Sequence, residues 1–407
     1  MWILLEALIK ITVVIGGVMT AAAYLVLLER RVAAWVQDRR GPNRVGIPLT
    51  KIRIFGLGQP IADGVKFIFK EEFIPGHVNR WLYVLAPMVM FVAAIVLFAA
   101  VPFGHVDLGI DGWEPIALVV MPGLDVGIVY VFAVSSIAVY GVLLGSWASN
   151  NKYAFLGGLR SAAQLISYEI PLGLGILGIV LVSGTLRIDG IVQAQAESGV
   201  WNVFTQPLGF VVFLVAAFAE AGRLPFDLAE TEQELVGGFH TEYSGIKLMM
   251  FLVAEYLHMI AASFLIVLLF FGGWHFWGLT GSEPVAGIGL ALLRILVLLA
   301  KFMLVVLFFM VARWSWPRFR FDQLMDLAWK VMLPLGLVNL VGIAFWIEYG
   351  RPQFTGAAEW IVMAICGWVL LFLSWLVTTL VSPSAPDNRP RLGPVAADLD
   401  AKEAASP

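Results

Sequence analysis

Charge is what this chain has least of. Lys, Arg, Asp and Glu make up 14% of its 407 residues, against about 25% in a soluble domain. Hydrophobic residues account for 60%, and the mean hydropathy is +0.87. That balance excludes a water-soluble globule and points to a chain that crosses a membrane many times. Cysteine is nearly absent too. Cys366 stands alone, which excludes an intrachain disulfide and any thiolate-ligated cluster. The five histidines (His77, His105, His240, His258 and His275) are scattered, with no pair at metal-ligand spacing. They read as structural or interfacial side chains, and neither a redox centre nor a metal site is visible. The net charge of −3 identifies no partner, and no nucleic acid is expected.

Apolar length is what the chain has in abundance. A bilayer is crossed by about 20 apolar residues, and the candidate stretches are 2–28, 81–101, 125–148, 162–182, 204–221, 248–273, 290–311, 331–349 and 360–380. The fourth is interrupted by Tyr168-Glu169-Ile170-Pro171, and the fifth is short. The first reads as a span rather than a cleaved leader, because Arg30 and Arg31 follow the apolar run and no small-residue cleavage site closes it. Fifteen Trp and 28 Phe suit a lipid-facing surface anchored at its interfaces. The expected fold class is therefore an all-α polytopic membrane protein of about nine spans. Residues 1–349 carry eight of them and 350–381 a ninth. Residues 382–407 form a Pro- and Ala-rich charged tail with no apolar run, expected to be disordered.

The basic residues set the orientation. Twenty-one of the 26 Lys and Arg fall in the odd-numbered connections or the tail, ten of them in the first connection. Arg187 and Arg351 are alone on the other side. The positive-inside rule then places the N-terminus outside and the C-terminus in the cytoplasm. Within the first connection, QPIADGVKFIFKEEF (59–73) is too short and too charged to span. Ile61, Val65 and Ile68 recur at helical spacing beside Phe69, while Asp63, Lys66 and Lys70 mark another face. This is the pattern of a helix lying in the interface. It serves as a surface anchor or as the border of an opening for a lipid-soluble molecule, and composition does not separate the two. Upstream, Glu29-Arg30-Arg31 and Arg39-Arg40-Gly41-Pro42-Asn43-Arg44 join dense positive charge to turn residues, available to pair with acids elsewhere on the same side.

Those acids are concentrated between the fifth and sixth spans. AEAGRLPFDLAETEQELVGGFHTEYSG holds Glu220, Asp227, Glu230, Glu232, Glu234 and Glu242 against one base, Arg223. Pro225 is expected to break the preceding helix, leaving a cytoplasmic loop over 222–247. Asp227-x-x-Glu230 and Thr231-x-x-Glu234 also fit a helix capping box. Glu169 and Glu255 lie within spans, roughly 10 Å deep at 1.5 Å per residue, and Glu220 sits near the inner end of the fifth. Charge at that depth is costly and usually functional. The plainer alternative is that these glutamates snorkel, or pair with Arg294 or Lys301. Carboxyls held among arginines in a poorly solvated funnel are suited to bind and pass protons as a coupled set. Gly173-Leu-Gly175-Ile-Leu-Gly178 fits a dinucleotide fingerprint, but it lies in a span with no strand before it and reads as close helix packing.

Six motifs occur in order between about residue 25 and residue 349: ERRVAAWVQDRRGPNRVG, QPIADGVKFIFKE, LRSAAQLISYEIPLG, AEAGRLPFDLAETEQELVGGFHTEYSG, AEYLHM and WPRFRFDQLMDLAWKVMLPL. Together they resemble the H-type subunits of NADH–quinone oxidoreductase, the bacterial relatives of the mitochondrial-encoded subunit 1 of respiratory complex I. The resemblance implies a multi-pass subunit of the bacterial plasma membrane that anchors the peripheral redox arm and forms a quinone tunnel. Ubiquinone or menaquinone would be substrate, with no covalent cofactor in this chain. FMN and the Fe–S clusters would belong to partner subunits, one of which carries the terminal cluster and the quinone headgroup site. Small membrane subunits of the proton-pumping arm, and lipid, would be the other neighbours.

Carried over by motif, Arg30, Arg39, Asp63, Phe67, Arg313 and Arg318 belong on or near the tunnel. Gly41, Pro42, Asn43, Arg223 and Pro225 shape the loops. Glu169, Glu220, Asp227, Glu230, Glu232, Glu234, Glu242, Glu255 and Tyr256 belong to proton coupling. Two departures stand out: the ninth span and tail exceed the usual eight-span core, and Gly222 and Ala229 stand where a polar residue and Pro are common. The homologous membrane subunit of a [NiFe]-hydrogenase-type complex shares parts of these motifs. The RGPN and ERR motifs and the unbroken FDLAE…HTEYSG run favour the quinone enzyme. A stand-alone proton-coupled transporter would show inverted repeats with paired broken helices, and the sequence has none.

Overall fold

A computed structural model describes residues 2–46, 55–107, 115–228, 235–281, 283, 285–354 and 356–381. Glu230, Glu232, Glu234 and the tail from residue 382 lie outside the described residues. Helix dominates, as lipid requires, because a spanning segment must satisfy its own backbone polar groups. Eleven helices position the site, numbered in chain order: α1 (Trp2–Val36), α2 (Gln59–Phe69), α3 (Arg80–Val96), α4 (Gly127–Ala148), α5 (Lys152–Ser183), α6 (Ile188–Ser198), α7 (Pro207–Glu220), α8 (Gly245–Phe270), α9 (Ile288–Ser315), α10 (Phe321–Gln353) and α11 (Ala357–Val381). Among the described residues eight of them, all but α2, α6 and α7, are long and apolar enough to cross a membrane.

Three boundaries differ from expectation. α1 continues past residue 28 to Val36, so Glu29, Arg30 and Arg31 are helical. Hydropathy marks where a chain leaves lipid, but Glu and Arg are good helix formers and carry the helix onward. The expected interruption at Tyr168-Glu169-Ile170-Pro171 does not occur. α5 starts at an Asn151 cap, whose Oδ1 accepts from Tyr153 N at 2.9 Å, and runs unbroken through Pro171. Neighbouring helices make such a proline tolerable within a bundle. The fifth expected span is a 14-residue helix, α7. At 1.5 Å per residue it covers about 21 Å, short of a hydrocarbon core of about 30 Å.

α8 is the centre of the bundle. From Leu257 to Phe270 every side chain is buried, and α1, α3 and α9 pack around it. Glu255, the one acid on α8, lies just before this run, with its side chain 12% exposed. Glycines permit the closest approaches: a Cβ at Gly175 would lie 3.0 Å from Phe213, and one at Gly141 2.7 Å from Met90. Gly175 and Gly178 of the GxGxxG run on α5 are thus packing positions. α2 buries none of its residues, and Ile61, Val65, Ile68 and Phe69 are all exposed, as a helix lying in an interface requires. On the side away from α2, β1 (His105–Asp107) pairs antiparallel with β2 (Ile116–Ala117) and parallel with β3 (Ala286–Gly287). Residues 1–371 form one compact unit, and the end of α11 belongs to a second.

Candidate functional site: two carboxylate groups around one helix

The first group gathers where α1, α8 and α9 meet the segment after α7. Glu29, on the extension of α1, is only 6% exposed. One of its oxygens pairs with Arg313 Nη1 of α9, and the other accepts a hydrogen bond from the Tyr256 hydroxyl of α8 at 2.7 Å. Arg223 lies between two acids, 3.8 Å from Glu29 and 4.0 Å from Glu255, with its guanidinium 4.1 Å above the Tyr256 ring. Four buried or half-buried charges and a phenol thus share one site. Each buried ion loses several kcal/mol of hydration, so the group is tenable only because the charges offset one another.

The turn that delivers Arg223 is tightly held. Gly222 adopts φ +61°, a conformation glycine takes without penalty, and the Leu224–Pro225 peptide is cis. Gln164 of α5 donates to Ala219 O and Phe226 O, each at 2.8 Å, and so clamps both ends of the turn. Arg318 lies 3.5 Å from Asp227, and Phe319 N donates to Pro225 O at 3.2 Å, which docks the segment after α9 onto the same turn.

Among the described residues, three arginines of the first connection are engaged outside this group. Arg30 pairs with Asp63 at 2.7 Å, and Gln59 Nε2 donates to the other Asp63 oxygen at 3.0 Å, tying α2 to α1. Arg31 donates to Phe55 O, and Arg39 to Gln37 Oε1 at 2.7 Å. Among the described residues, Arg30, Arg31 and Arg39 thus find their partners within their own connection, and Arg223, Arg313 and Arg318 pair with Glu29, Glu255 and Asp227. Gly41 packs against Arg31 and the Pro42–Asn43 backbone against Gly56, while Phe67 is half-buried on α2. Glu242 is separate as well. Its carboxylate accepts from Asn151 Nδ2 at 2.7 Å and its carbonyl from the Tyr83 hydroxyl at 2.6 Å, which pins it between α5 and α3.

The second group meets α8 at His258, three residues beyond Glu255. Glu169 of α5 and Glu220 at the end of α7 line a cavity of about 40 Å³ with Met90, Ser135, Ser136 and His258. That volume admits water, which needs roughly 10–15 Å³ of accessible space and polar partners. The Ser135 hydroxyl lies against the Glu220 carboxyl. Among the described residues no Lys or Arg lines this cavity. Arg294 and Lys301, deeper in the bundle, are engaged elsewhere. Arg294 donates to Thr280 O at 3.1 and 2.9 Å and to Glu283 O at 2.8 Å. Lys301 donates to Phe271 O, Gly273 O and His275 O at 2.7, 3.0 and 2.5 Å. Pairing of the membrane-depth glutamates with Arg294 or Lys301 is thereby ruled out.

The sequence profile of the NADH dehydrogenase family matches residues 9–344. The chain belongs to the family of H-type subunits of NADH-quinone oxidoreductase. It is similar to NADH-quinone oxidoreductase subunit 8 of Rhodothermus marinus, 44% identical over 343 residues that cover 81% of this chain and 94% of the relative. The H 1 subunit of the same enzyme from Geobacter metallireducens is 46% identical over 341 residues, covering 84% and 95%. The H subunit from Leptospira biflexa is 42% identical over 379 residues, covering 90% and 97%.

Three participants in these groups escape a reading of the family motifs residue by residue. Glu29 is hidden because a charge after an apolar run looks like the end of a span. Gln164 carries no charge. His258, three residues after Glu255 in AEYLHM, looks like one scattered histidine among five. The signal available for Glu29 and His258 is their place within motifs already singled out.

Proposed function

We propose that this chain is the membrane subunit through which quinone reaches its reduction site in a proton-translocating NADH–quinone oxidoreductase, and that its carboxylates couple reduction to proton movement. The observation that carries this reading is Arg223 shared between Glu29 and Glu255, with Tyr256 bonded to the same Glu29. A cation with two alternative anionic partners responds to a change of nearby charge by favouring one of them. Uptake of electrons and protons by a quinone is such a change.

The first group faces the cytoplasm in this reading. Arg30, Arg39, Asp63, Phe67, Arg313 and Arg318 border the tunnel, with the exposed apolar side chains of α2 in the acyl region at its mouth. Glu230, Glu232 and Glu234 belong to the loop beside the headgroup chamber, with Asp227 at its start and Glu242 at its end. A chain with one cysteine cannot ligate an Fe–S cluster, so electrons come from a peripheral-arm partner that also connects to FMN. Release of Arg223 from Glu255 would favour protonation of that carboxylate, and Glu169 and Glu220 would pass the change towards small membrane subunits of the pumping arm. The three relatives bear the name of the quinone enzyme and not of a hydrogenase.

The test is Glu255→Gln in the whole complex, purified and reconstituted in vesicles. Assembly is retained, while quinone-dependent turnover and proton translocation both fall. Full turnover with a full proton yield would remove the coupling role.

A further inference from the structure

Both carboxylate groups meet α8. Glu255 reaches the first through Arg223. His258 lines the cavity of the second with Glu169 and Glu220. Three residues apart on one helix, Glu255 and His258 lie near one face, about 4.5 Å apart along its axis. His258 is 9% exposed, and among the described residues its Nε2 has no hydrogen-bond partner. A buried ring nitrogen left in this state is costly unless the site uses it.

We infer that His258 is a proton-transfer residue that links Glu255 to the Glu169–Glu220 cavity, an inference that rests on the coupling role proposed above. The titratable groups that line the cavity with it are Glu169 from α5 and Glu220 from α7, and Glu255 lies three residues before it on its own helix. α4 contributes the uncharged Ser135 and Ser136, and α3 contributes Met90. Imidazole suits the position because its neutral form has one nitrogen that accepts and one that donates. It takes a proton from a protonated carboxyl on one side, leaving a carboxylate and an imidazolium. It then gives a proton to a carboxylate on the other side and returns to the neutral ring. Nothing is consumed, and one proton has moved from the quinone-linked group into the cavity. The asparagine side chain is polar and similar in reach, but it has no proton to exchange in this way.

The experiment compares His258→Asn, His258→Leu and Glu220→Gln in the complete complex, reconstituted in vesicles. Assembly is scored by NADH oxidation with a water-soluble acceptor that bypasses quinone. Both His258 variants lower quinone-coupled proton translocation by about a hundredfold, the lower end of what a positioned acid–base group contributes. They also flatten the limb of the pH–rate profile in which imidazole titrates, and added imidazole restores part of the rate. A packing or hydrogen-bonding role predicts instead that Asn retains what Leu loses, with the pH profile unmoved. If His258→Asn translocates normally while Glu220→Gln does not, the relay falls and the coupling reading stands. If both translocate normally, the coupling reading falls and takes the relay with it. Should the Leu variant fail to assemble, Asn alone decides by rate, pH profile and imidazole response.

Discussion

Buried charge is held in two different ways at the two ends of the bundle. Where α1, α8 and α9 meet the segment after α7, arginines pair with carboxylates: Arg313 with Glu29, Arg318 with Asp227, and Arg223 with both Glu29 and Glu255. Beyond the far end of α8, Lys301 and Arg294 bond backbone carbonyls instead. A carbonyl cannot take up a proton at physiological pH, so a cation capping carbonyls is a fixed structural element. A carboxylate can, so a cation shared between carboxylates is part of a system that can change state. The contrast separates the charges that hold this bundle together from those that let it respond.

The largest expected effect comes from breaking the responsive end. Glu29→Ala leaves Arg313 without its buried partner and Arg223 with Glu255 alone. A cost of about 3–5 kcal/mol is the usual result of uncovering a buried charge, read as a fall in thermal stability and yield of the complex. Lys301→Met attacks the fixed end. It strips three carbonyls of a donor and lowers stability by about 2 kcal/mol, while turnover per assembled complex, measured at a temperature where it stays folded, is unchanged.

Smaller effects sharpen the contrast at the surface. Arg30 and Asp63 are partly solvated, with side-chain exposures of 46% and 27%, so Asp63→Asn changes stability by less than about 1 kcal/mol. If the tunnel reading holds, its effect appears in the apparent affinity for quinone. The smallest effect is on the far side at Asp189 of α6. Burial pushes its carboxyl up, but the hydrogen bonds and charge of Arg187 outweigh burial and hold it below the ordinary Asp range. Its folded pKa is depressed, so its contribution is present above the unfolded pKa and lost as pH falls through the folded one. Acid denaturation curves of wild type and Asp189→Asn should therefore converge at low pH, and separate only slightly above it because the pair is part-exposed.

Much of this architecture was legible because lipid leaves few choices. Apolar length found eight of the nine expected spans, and the spacing of Ile61, Val65 and Ile68 found the helix α2 and its exposed apolar face. What remained hidden was of two kinds. The strands at His105–Asp107, Ile116–Ala117 and Ala286–Gly287 are too short to show a period. The pairing of charges was hidden for another reason. Sequence placed the arginines of 30–44 and the acids after α7 on one side, but which ones meet depends on helix rotation and on a turn clamped by Gln164. Glu29 shows the difference most clearly, since it reads as the end of a span and proves to be the hub of the first group.

The central claim is that shared, carboxylate-paired charge couples quinone chemistry to proton movement, whereas carbonyl-capped charge does not. The direct test is the number of protons translocated per electron by vesicles carrying the Glu255→Gln complex beside vesicles carrying Lys301→Met, each normalised to assembled enzyme. The account predicts a low ratio for Glu255→Gln and an unchanged ratio for Lys301→Met. Equal ratios in the two variants, or an undiminished ratio in Glu255→Gln, would contradict it.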